Sequence, residues 1–135
     1  VIKKFKNISN QTRFHGFKNQ DFVQKKMKNA SIIVIPSVWE EPYGLVAAEA
    51  MSNGIAIIAS DVGGIPEIIK ESGILIDEIN GFKLQNALER LMSNPDKIKI
   101  LQKLSWNNFE HSSKNSSKKL DSYRERILSS YIVNN

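Results

Sequence analysis

The sequence predicts an α/β fold, in which an open parallel sheet of about four strands is followed by a helical tail. Short apolar runs alternate with stretches of helical periodicity, as they do where right-handed helical crossovers join parallel strands. After residue 78 only helical patterns remain. With 135 residues, the chain is long enough for one domain with its own core. We therefore expect a single domain over residues 1–135, with an α/β part at 1–78 and a helical tail at 79–135.

The α/β part is justified element by element from its apolar runs. Residues Thr12–Gly16 resemble the end of a first strand, and the stretch after them carries an apolar stripe of helical spacing. Three nearly continuous apolar runs are typical of strands that are covered on both faces. Gly54 is placed to end the helix between the first two of these runs. In chain order, we expect a strand end at 12–16, a helix at 20–30, a strand at 31–36, a helix at 44–54, a strand at 55–60, a loop and short helix at 62–73, and a strand at 73–76.

The helical tail is predicted from three apolar stripes. The first ends at the polar stretch SNPD, and the third follows a longer polar break, HSSKNSSKK. The last amphipathic helix needs a surface that covers its apolar face. We expect part of that face to promote self-association through Tyr123 or Tyr131; alternatively, the helix packs on its own sheet. The stripes are Leu84, Ala87, Leu88, Leu91 and Met92, then Ile98, Leu101 and Leu104, and finally Leu120, Tyr123, Ile127, Leu128 and Tyr131.

Composition excludes several classes of function. The chain has no Cys, which excludes a disulfide framework and a thiolate nucleophile. The two His lie far apart, so no metal site with a recognisable spacing is expected. No apolar run approaches the length of a membrane span. The absence of Cys also fits a cytoplasmic protein, which is the expected location. The N-terminus lacks the apolar region of a signal peptide. It also lacks an initiator Met, so we expect a fragment or a processed chain.

The net charge of +5 is spread unevenly along the chain. Residues 1–30 carry eight Lys or Arg against one Asp, whereas residues 31–100 carry ten Asp or Glu against five Lys or Arg. A basic segment serves an anionic ligand, nucleic acid or a membrane surface, or is simply a solvated helix face. Aromatic side chains do not alternate with these lysines, so nucleic acid is not an expected partner. Peripheral association with the inner face of a membrane is left open.

The stretch Pro36–Met51 combines the features of a ligand site. It leaves one predicted strand and enters a helix, and ligands of parallel sheets bind at such carboxyl ends. The first N–H groups of that helix, near Gly44, have no intrahelical partners and suit a phosphate. Glu41 lies in the loop and Glu49 in the helix, and ionised carboxylates accept hydrogen bonds from hydroxyls. A nucleotide sugar, with hydroxyls on both sides of a diphosphate, matches this layout.

Simpler interpretations exist for these residues. Glu41 alone would only complement the helix dipole, and Glu49 alone would be a solvated helix position. The apolar neighbours of Glu49 in LVAAEAM favour a partner for its carboxylate, because a covered charge needs one. A second loop with glycines, Asp61–Glu67, either contacts the ligand or is a turn before a helix.

The stretch PSVWEEPYGLVAAEAMSNGIAIIASDVGGIPEII resembles the retaining glycosyltransferases of group 1, family 4, which have the GT-B fold. Their signature is a Glu-x7-Glu motif, which Glu41 and Glu49 match within EPYG and EAM. The resemblance covers Asn10–Asp77 well and implies the Rossmann-like C-terminal lobe of that fold. It also implies that the lobe is cut short, since its first two strands lie upstream. The Arg and Lys that neutralise the leaving diphosphate in this family lie upstream as well.

The resemblance assigns roles to individual residues. Glu41, the catalytic candidate, would bind hydroxyls of the donor sugar, and Glu49 would hold the ribose hydroxyls. Backbone groups of Phe17 and Lys18 would bind the base, unless Phe17 is a core plug under the sheet and Lys18 is solvated. A UDP- or GDP-sugar donor is implied, with no metal and no other cofactor. The backbone groups implied at the sugar and diphosphate are those of Tyr43, which replaces the usual Phe, Gly44 and Leu45, with Val46 close by.

These implications predict a transferase of polysaccharide or glycoconjugate biosynthesis. The chain would be its donor lobe, binding a nucleoside diphosphate sugar for retaining transfer of the sugar to an acceptor that the sequence does not name. In this family the acceptor sits largely in the N-terminal lobe, so the chain alone is expected to be inactive. The alternatives are a non-catalytic nucleotide-binding or interaction module and a lobe like that of a sugar-nucleotide epimerase.

Overall fold

A computed structural model describes residues 12–109 and 121–125 of the chain. Helices and strands alternate through the first part, and two longer helices follow, as the apolar patterns predict. A short 3₁₀ turn at Lys70–Ser72 leads into the last strand. Residues 121–125 are helical. The elements are α1 (Gln20–Met27), β1 (Ile32–Ile35), α2 (Leu45–Ser52), β2 (Ala56–Ser60), α3 (Ile65–Ile69), β3 (Gly73–Ile76), α4 (Gly81–Met92) and α5 (Pro95–Asn107).

The strands form one parallel sheet in the order β1-β2-β3. Ile33 pairs with Ile57, and Ile57 pairs in turn with Gly73 on the other side. All residues of β2 are buried, which explains why its sequence is apolar without alternation. The carboxyl ends of all three strands therefore lie at one edge of the sheet, where β1 and β2 lead into the loops before α2 and α3.

Helices cover both faces of the sheet. On one face, Ile35, Ile57 and Ala59 pack with the buried residues of α2 and α3, including Met51 and Ile65. On the other face, a second buried cluster joins the sheet to α4 and α5. Its fully or nearly fully buried members are Ala56, Ile58, Ile76, Ala87, Leu91 and Leu101. The sheet is thus the middle layer of three, as expected of a parallel sheet.

A buried hydroxyl fixes α5 against the sheet. Ser105, which is fully buried, donates to the carbonyl of Ile55 at 2.8 Å and lies 3.2 Å from the carbonyl of Ser72. Asn108, just past the end of α5, donates to the Ser72 hydroxyl at 3.2 Å. These contacts tie the last described long helix to the segments that precede β2 and β3.

The expectation of a strand ending at Thr12–Gly16 is wrong. The described residues form three strands rather than about four, and this segment is exposed and lies outside the sheet. A strand needs a hydrogen-bonded neighbour and an apolar face to bury. Phe14 is the one large apolar residue between Thr12 and Gly16, and it is 56% exposed.

The tail agrees with its prediction in two of its three helices. In α4, Ala87 and Leu91 are buried as expected, but Met92, the last residue of the helix, is 69% exposed. The predicted final helix is described only at 121–125, where Tyr123 is 56% exposed; its other apolar positions lie outside the described residues. Within the described ranges, every helix falls short of the length and apolarity needed to cross a membrane.

Candidate functional site

The first two residues of α2 are exposed, whereas Gly44, which precedes them, is buried. Gly44 has a φ of +74° and occupies the N-cap position, and no side chain caps this helix start. The first bonds into the helix run from the N–H groups of Ala47 and Ala48 to the Gly44 carbonyl. The N–H groups of Leu45 and Val46 precede these bonds, and both side chains are exposed. Unpaired N–H groups at the positive end of a helix dipole form a favourable place for an anion.

Gly44 is required here for two reasons. Its φ lies in the left-handed region, which costs a residue with a Cβ atom. A Cβ atom at this position would also lie 3.1 Å from Cγ1 of Ile65, at the start of α3. The close approach of α3 thus fixes the turn from which α2 begins, and it accounts for the glycine in EPYG independently of any ligand.

Glu41 is held in place from two directions. Its carboxylate accepts a hydrogen bond from the Ser37 hydroxyl, with 2.5 Å between Oγ and Oε1. Its backbone carbonyl accepts from the N–H of Gly64 at 2.8 Å, and its own N–H donates to the Trp39 carbonyl at 2.9 Å. The side chain is half-buried. Ser37 was not among the residues predicted for the site. Its position in the same loop, four residues before Glu41, could have indicated a contact between the two side chains.

The loop at Asp61–Glu67 packs against the loop that carries Glu41. A Cβ atom at Gly63 would lie 2.3 Å from the Glu41 carbonyl oxygen, and one at Gly64 would lie 2.6 Å from the Pro42 oxygen. Gly63 also has a φ of +54°. Both glycines are therefore required by contact between two stretches of backbone. This explains the glycine pair through chain packing, whichever ligand the neighbouring loop binds.

Glu49 has a partner that the sequence did not identify. The side-chain amide of Gln20, the first residue of α1, lies 3.5 Å from Oε1 of Glu49. One turn further along, the Asn53 amide lies 3.3 Å from Oε1 of Gln24 and donates to the Glu49 carbonyl at 2.9 Å. Gln20 and Gln24 are four residues apart, as are Glu49 and Asn53. This shared spacing of about one helical turn is the sequence signal for contact between the two helices. The half-buried carboxylate is thus neither fully solvated nor without a polar contact.

Phe17 and Lys18 lie in the exposed loop before α1. Phe17 is 99% exposed, so its interpretation as a core plug is wrong. The Lys18 ammonium lies 5.6 Å from the ring centroid of Phe22, a cation–π distance. Both residues come shortly before Gln20, the residue that reaches Glu49. The structure therefore brings the end of this loop towards the α2 side of the site.

Two pockets lie apart from these carboxylates. One, of about 380 Å³, is bounded by β3 and α4 and includes Lys83, Arg90 and Lys97. The other, of about 340 Å³, lies between α1 and β1 and is mostly apolar. Neither is lined by Glu41 or Glu49. The second pocket does include Lys18, one of the residues predicted to bind the base. Among the described residues, no group of three potential ligands is arranged to hold a metal ion.

Comparison with known proteins identifies related sequences. A family model described as "Glycosyl transferases group 1" matches residues 2–110. An uncharacterised glycosyltransferase of Methanocaldococcus jannaschii is 37% identical over 112 residues, which are 75% of this chain and 28% of the relative. The D-inositol 3-phosphate glycosyltransferase of Streptomyces bingchenggensis is 36% identical over 96 residues, which are 70% of this chain and 21% of the relative. The chain thus spans less than a third of the length of these relatives.

Solved structures share the fold. A sucrose-phosphate synthase from Thermosynechococcus elongatus superposes with a TM-score of 0.75 at 26% identity, over 95% of this chain and 33% of that one. The HepE protein of Anabaena, solved in complex with UDP-glucose, gives a TM-score of 0.64 at 23% identity, over 84% of this chain and 33% of that one. These likenesses confirm the predicted α/β fold with a parallel sheet.

Proposed function

The chain belongs to the group 1 glycosyltransferases, and from this premise we propose that it binds a nucleoside diphosphate sugar as the donor lobe of a retaining enzyme. The observation that carries the proposal is the uncapped start of α2, which follows the half-buried Glu41 in the sequence and precedes the half-buried Glu49. Each carboxylate is the acceptor for one neutral side chain and keeps capacity for a ligand hydroxyl.

Three sets of groups in the site bind different parts of the donor. The diphosphate lies against the N–H groups at the start of α2, around Gly44, Leu45 and Val46, with Tyr43 beside them. The sugar hydroxyls face Glu41, and the ribose hydroxyls face Glu49. The base lies towards the loop with Phe17 and Lys18, which is brought near by Gln20. No metal ion takes part in this arrangement.

Catalysis in this proposal depends on the charge that develops as the diphosphate leaves. Fixed N–H groups stabilise such charge without reorganising during the reaction. Glu41, adjacent to the anion site, orients the sugar, and retention of its anomeric configuration is part of the proposal. An acceptor then takes the sugar, which yields a glycan or a glycoconjugate.

A second candidate is a nucleotide-binding module that does not catalyse transfer. It is favoured by one finding: among the described residues, no salt bridge places a cation on Glu41 or Glu49, where it could stabilise a leaving diphosphate. The two candidates share the anion site and differ in whether the sugar contributes to binding at Glu41. A donor lobe binds the sugar-linked nucleotide more tightly than the plain diphosphate, whereas a simple nucleotide module shows no such preference.

Amide NMR titration of the chain tests the proposal. UDP, UDP-glucose and GDP-glucose are the probes, and UDP-glucose comes first because the HepE protein, which shares the fold, was solved with it. We expect the largest shifts at the amides of Gly44, Leu45 and Val46. The start of α4 is a matched internal control, since the Asn80 side chain caps it by accepting from the Lys83 N–H at 2.9 Å. Equal shifts at both helix starts, or none at α2 with any probe, would contradict the proposal.

A further inference from the structure

We propose that Ser37 is a positioning residue that orients the carboxylate of Glu41 towards the donor sugar; this inference rests on the proposed function. The contact is short and local: Ser37 Oγ lies 2.5 Å from Glu41 Oε1. A hydroxyl that donates to an ionised carboxylate makes one of the stronger hydrogen bonds in proteins, at 2.5–2.7 Å. Nothing in the family match or in the relatives' names assigns a role to this serine.

Ser37 lies close to the buried end of β1. It comes two residues after Ile35, the last residue of β1, which is only 5% exposed. Its own side chain is half-buried. A hydroxyl that is set this close to the end of a core strand has little freedom to move, so its bond fixes the carboxylate relative to the sheet.

The backbone of Glu41 is fixed independently. Its carbonyl accepts from the Gly64 N–H at 2.8 Å, and its N–H donates to the Trp39 carbonyl at 2.9 Å. The absence of a Cβ atom at Gly63 lets the second loop press against this backbone. With the main chain held by these contacts, the remaining freedom of Glu41 is in its side-chain torsions. Ser37 is the described residue whose side chain donates to that carboxylate.

The hydrogen bond from Ser37 determines which oxygen of the Glu41 carboxylate is left for a ligand. Ser37 occupies a position on Oε1 and leaves Oε2 to accept from a sugar hydroxyl. A carboxylate that is already ordered loses less conformational freedom when the sugar binds. Ser37 therefore affects the part of the donor that Glu41 contacts and leaves the diphosphate and ribose contacts unchanged. A serine that merely closed the loop would instead affect every part of the site equally.

The test compares two ligands that differ by the sugar. The affinities of the chain for UDP and for UDP-glucose are measured by NMR titration in the natural sequence, Ser37→Ala and Ser37→Thr, with GDP and GDP-glucose as the second pair. In Ser37→Ala we expect the sugar-dependent gain in affinity to fall by about fivefold, while UDP affinity stays within about twofold. Ser37→Thr retains a hydroxyl and should restore the gain.

Ser52→Ala is the matched control variant. Ser52 is also half-buried, but its hydroxyl donates to a backbone carbonyl, that of Glu49, at 2.7 Å. We expect it to leave the sugar-dependent gain unchanged. A full gain in Ser37→Ala, or an equal loss for UDP and UDP-glucose, would overturn the inference.

A second readout needs no ligand. The Glu41 methylene signals should show averaging among rotamers in Ser37→Ala and a single rotamer in the natural sequence and in Ser37→Thr. If the rotamer is unchanged by Ser37→Ala, the positioning role fails while the proposed function stands. If the natural chain binds none of the four nucleotides, the proposed function itself fails, and the positioning role of Ser37 fails with it.

Discussion

No salt bridge joins a cation to Glu41 or Glu49 in the part of the chain that the structure describes. The salt bridges found there join Lys83 to Asp77, Lys99 to Asp96 and Arg124 to Asp121. Two carboxylates beside a diphosphate repel it, and the helix start offsets only part of this repulsion. The resemblance places an Arg and a Lys upstream in the family, and these are the cations we expect to complete the balance in a longer protein.

Glu49→Gln should weaken nucleotide binding by about 1–3 kcal/mol, because the ribose hydroxyls lose a charged acceptor. Calorimetry with UDP measures the change. Glu89→Gln is the control: Glu89 is exposed on α4 and accepts from Gln85, so the same substitution there should leave the affinity unaltered. An unchanged affinity in Glu49→Gln would refute the ribose role.

Gly63→Ala should destabilise the protein by about 2 kcal/mol or more, because a strained φ and a backbone clash add together. The new Cβ atom would lie 2.3 Å from the Glu41 carbonyl oxygen, and the φ of Gly63 is +54°. In contrast, Gly81→Ala at the start of α4 meets nothing within 4 Å and should stabilise the protein by about 0.4–1 kcal/mol. Urea unfolding of both variants tests the pair, and similar behaviour of the two would contradict the clash.

At the scale of elements, the sheet and its helices were predictable because their signals are local. The continuous apolar runs of β1 and β2 and the stripes of α4 and α5 each lie within a few residues of sequence. The expected strand at Thr12–Gly16 failed because a strand depends on a neighbour that its own sequence does not specify. The partners of the site residues were also not predictable from local sequence, because they lie far away along the chain. Gln20 contacts Glu49 across 29 residues, and Gly64 donates to Glu41 from another loop.

A buried hydroxyl contributes to the docking of α5, beside the apolar contacts of Leu101. Ser105→Ala removes the donor that serves the Ile55 carbonyl at 2.8 Å and lies 3.2 Å from the Ser72 carbonyl. We expect a loss of about 1–3 kcal/mol in the free energy of unfolding, because buried acceptors are left without a partner. Ser93→Ala, at an exposed position after α4, should change it by less than about 0.5 kcal/mol. Equal effects in urea unfolding would show that the hydroxyl is not important for docking.

At the scale of the whole molecule, the proposed donor lobe spans less than a third of the length of these relatives. We therefore expect the 135-residue chain to bind UDP-glucose without transferring glucose to an added acceptor. Incubation with radiolabelled donor and a mixture of sugar acceptors, followed by chromatography, measures transfer. The release of free glucose is measured in parallel. A labelled glycoside would show that the chain alone is a complete catalyst.

Self-association stays a prediction for the chain. Tyr123 is 56% exposed, as the predicted contact requires, whereas Tyr131 lies outside the described residues. Large apolar side chains are also exposed in the loop and helix around the site: Val38, Trp39, Tyr43 and Leu45. Sedimentation of the chain at several concentrations tests the prediction. A monomer throughout the range would favour the alternative, in which the final helix packs on its own sheet.

The uncapped start of α2 affects how fast its first amide hydrogens exchange with solvent. The amide hydrogens of Leu45 and Val46, which precede the first helical hydrogen bonds, should exchange with solvent quickly in the free protein. The rest of α2 carries buried residues such as Ala47 and Met51 and should exchange slowly. A bound diphosphate would accept from the two leading amides and extend slow exchange to the first residue of the helix. Ligand binding would then slow amide hydrogen exchange at these two positions, even where the melting temperature of the whole chain hardly changes.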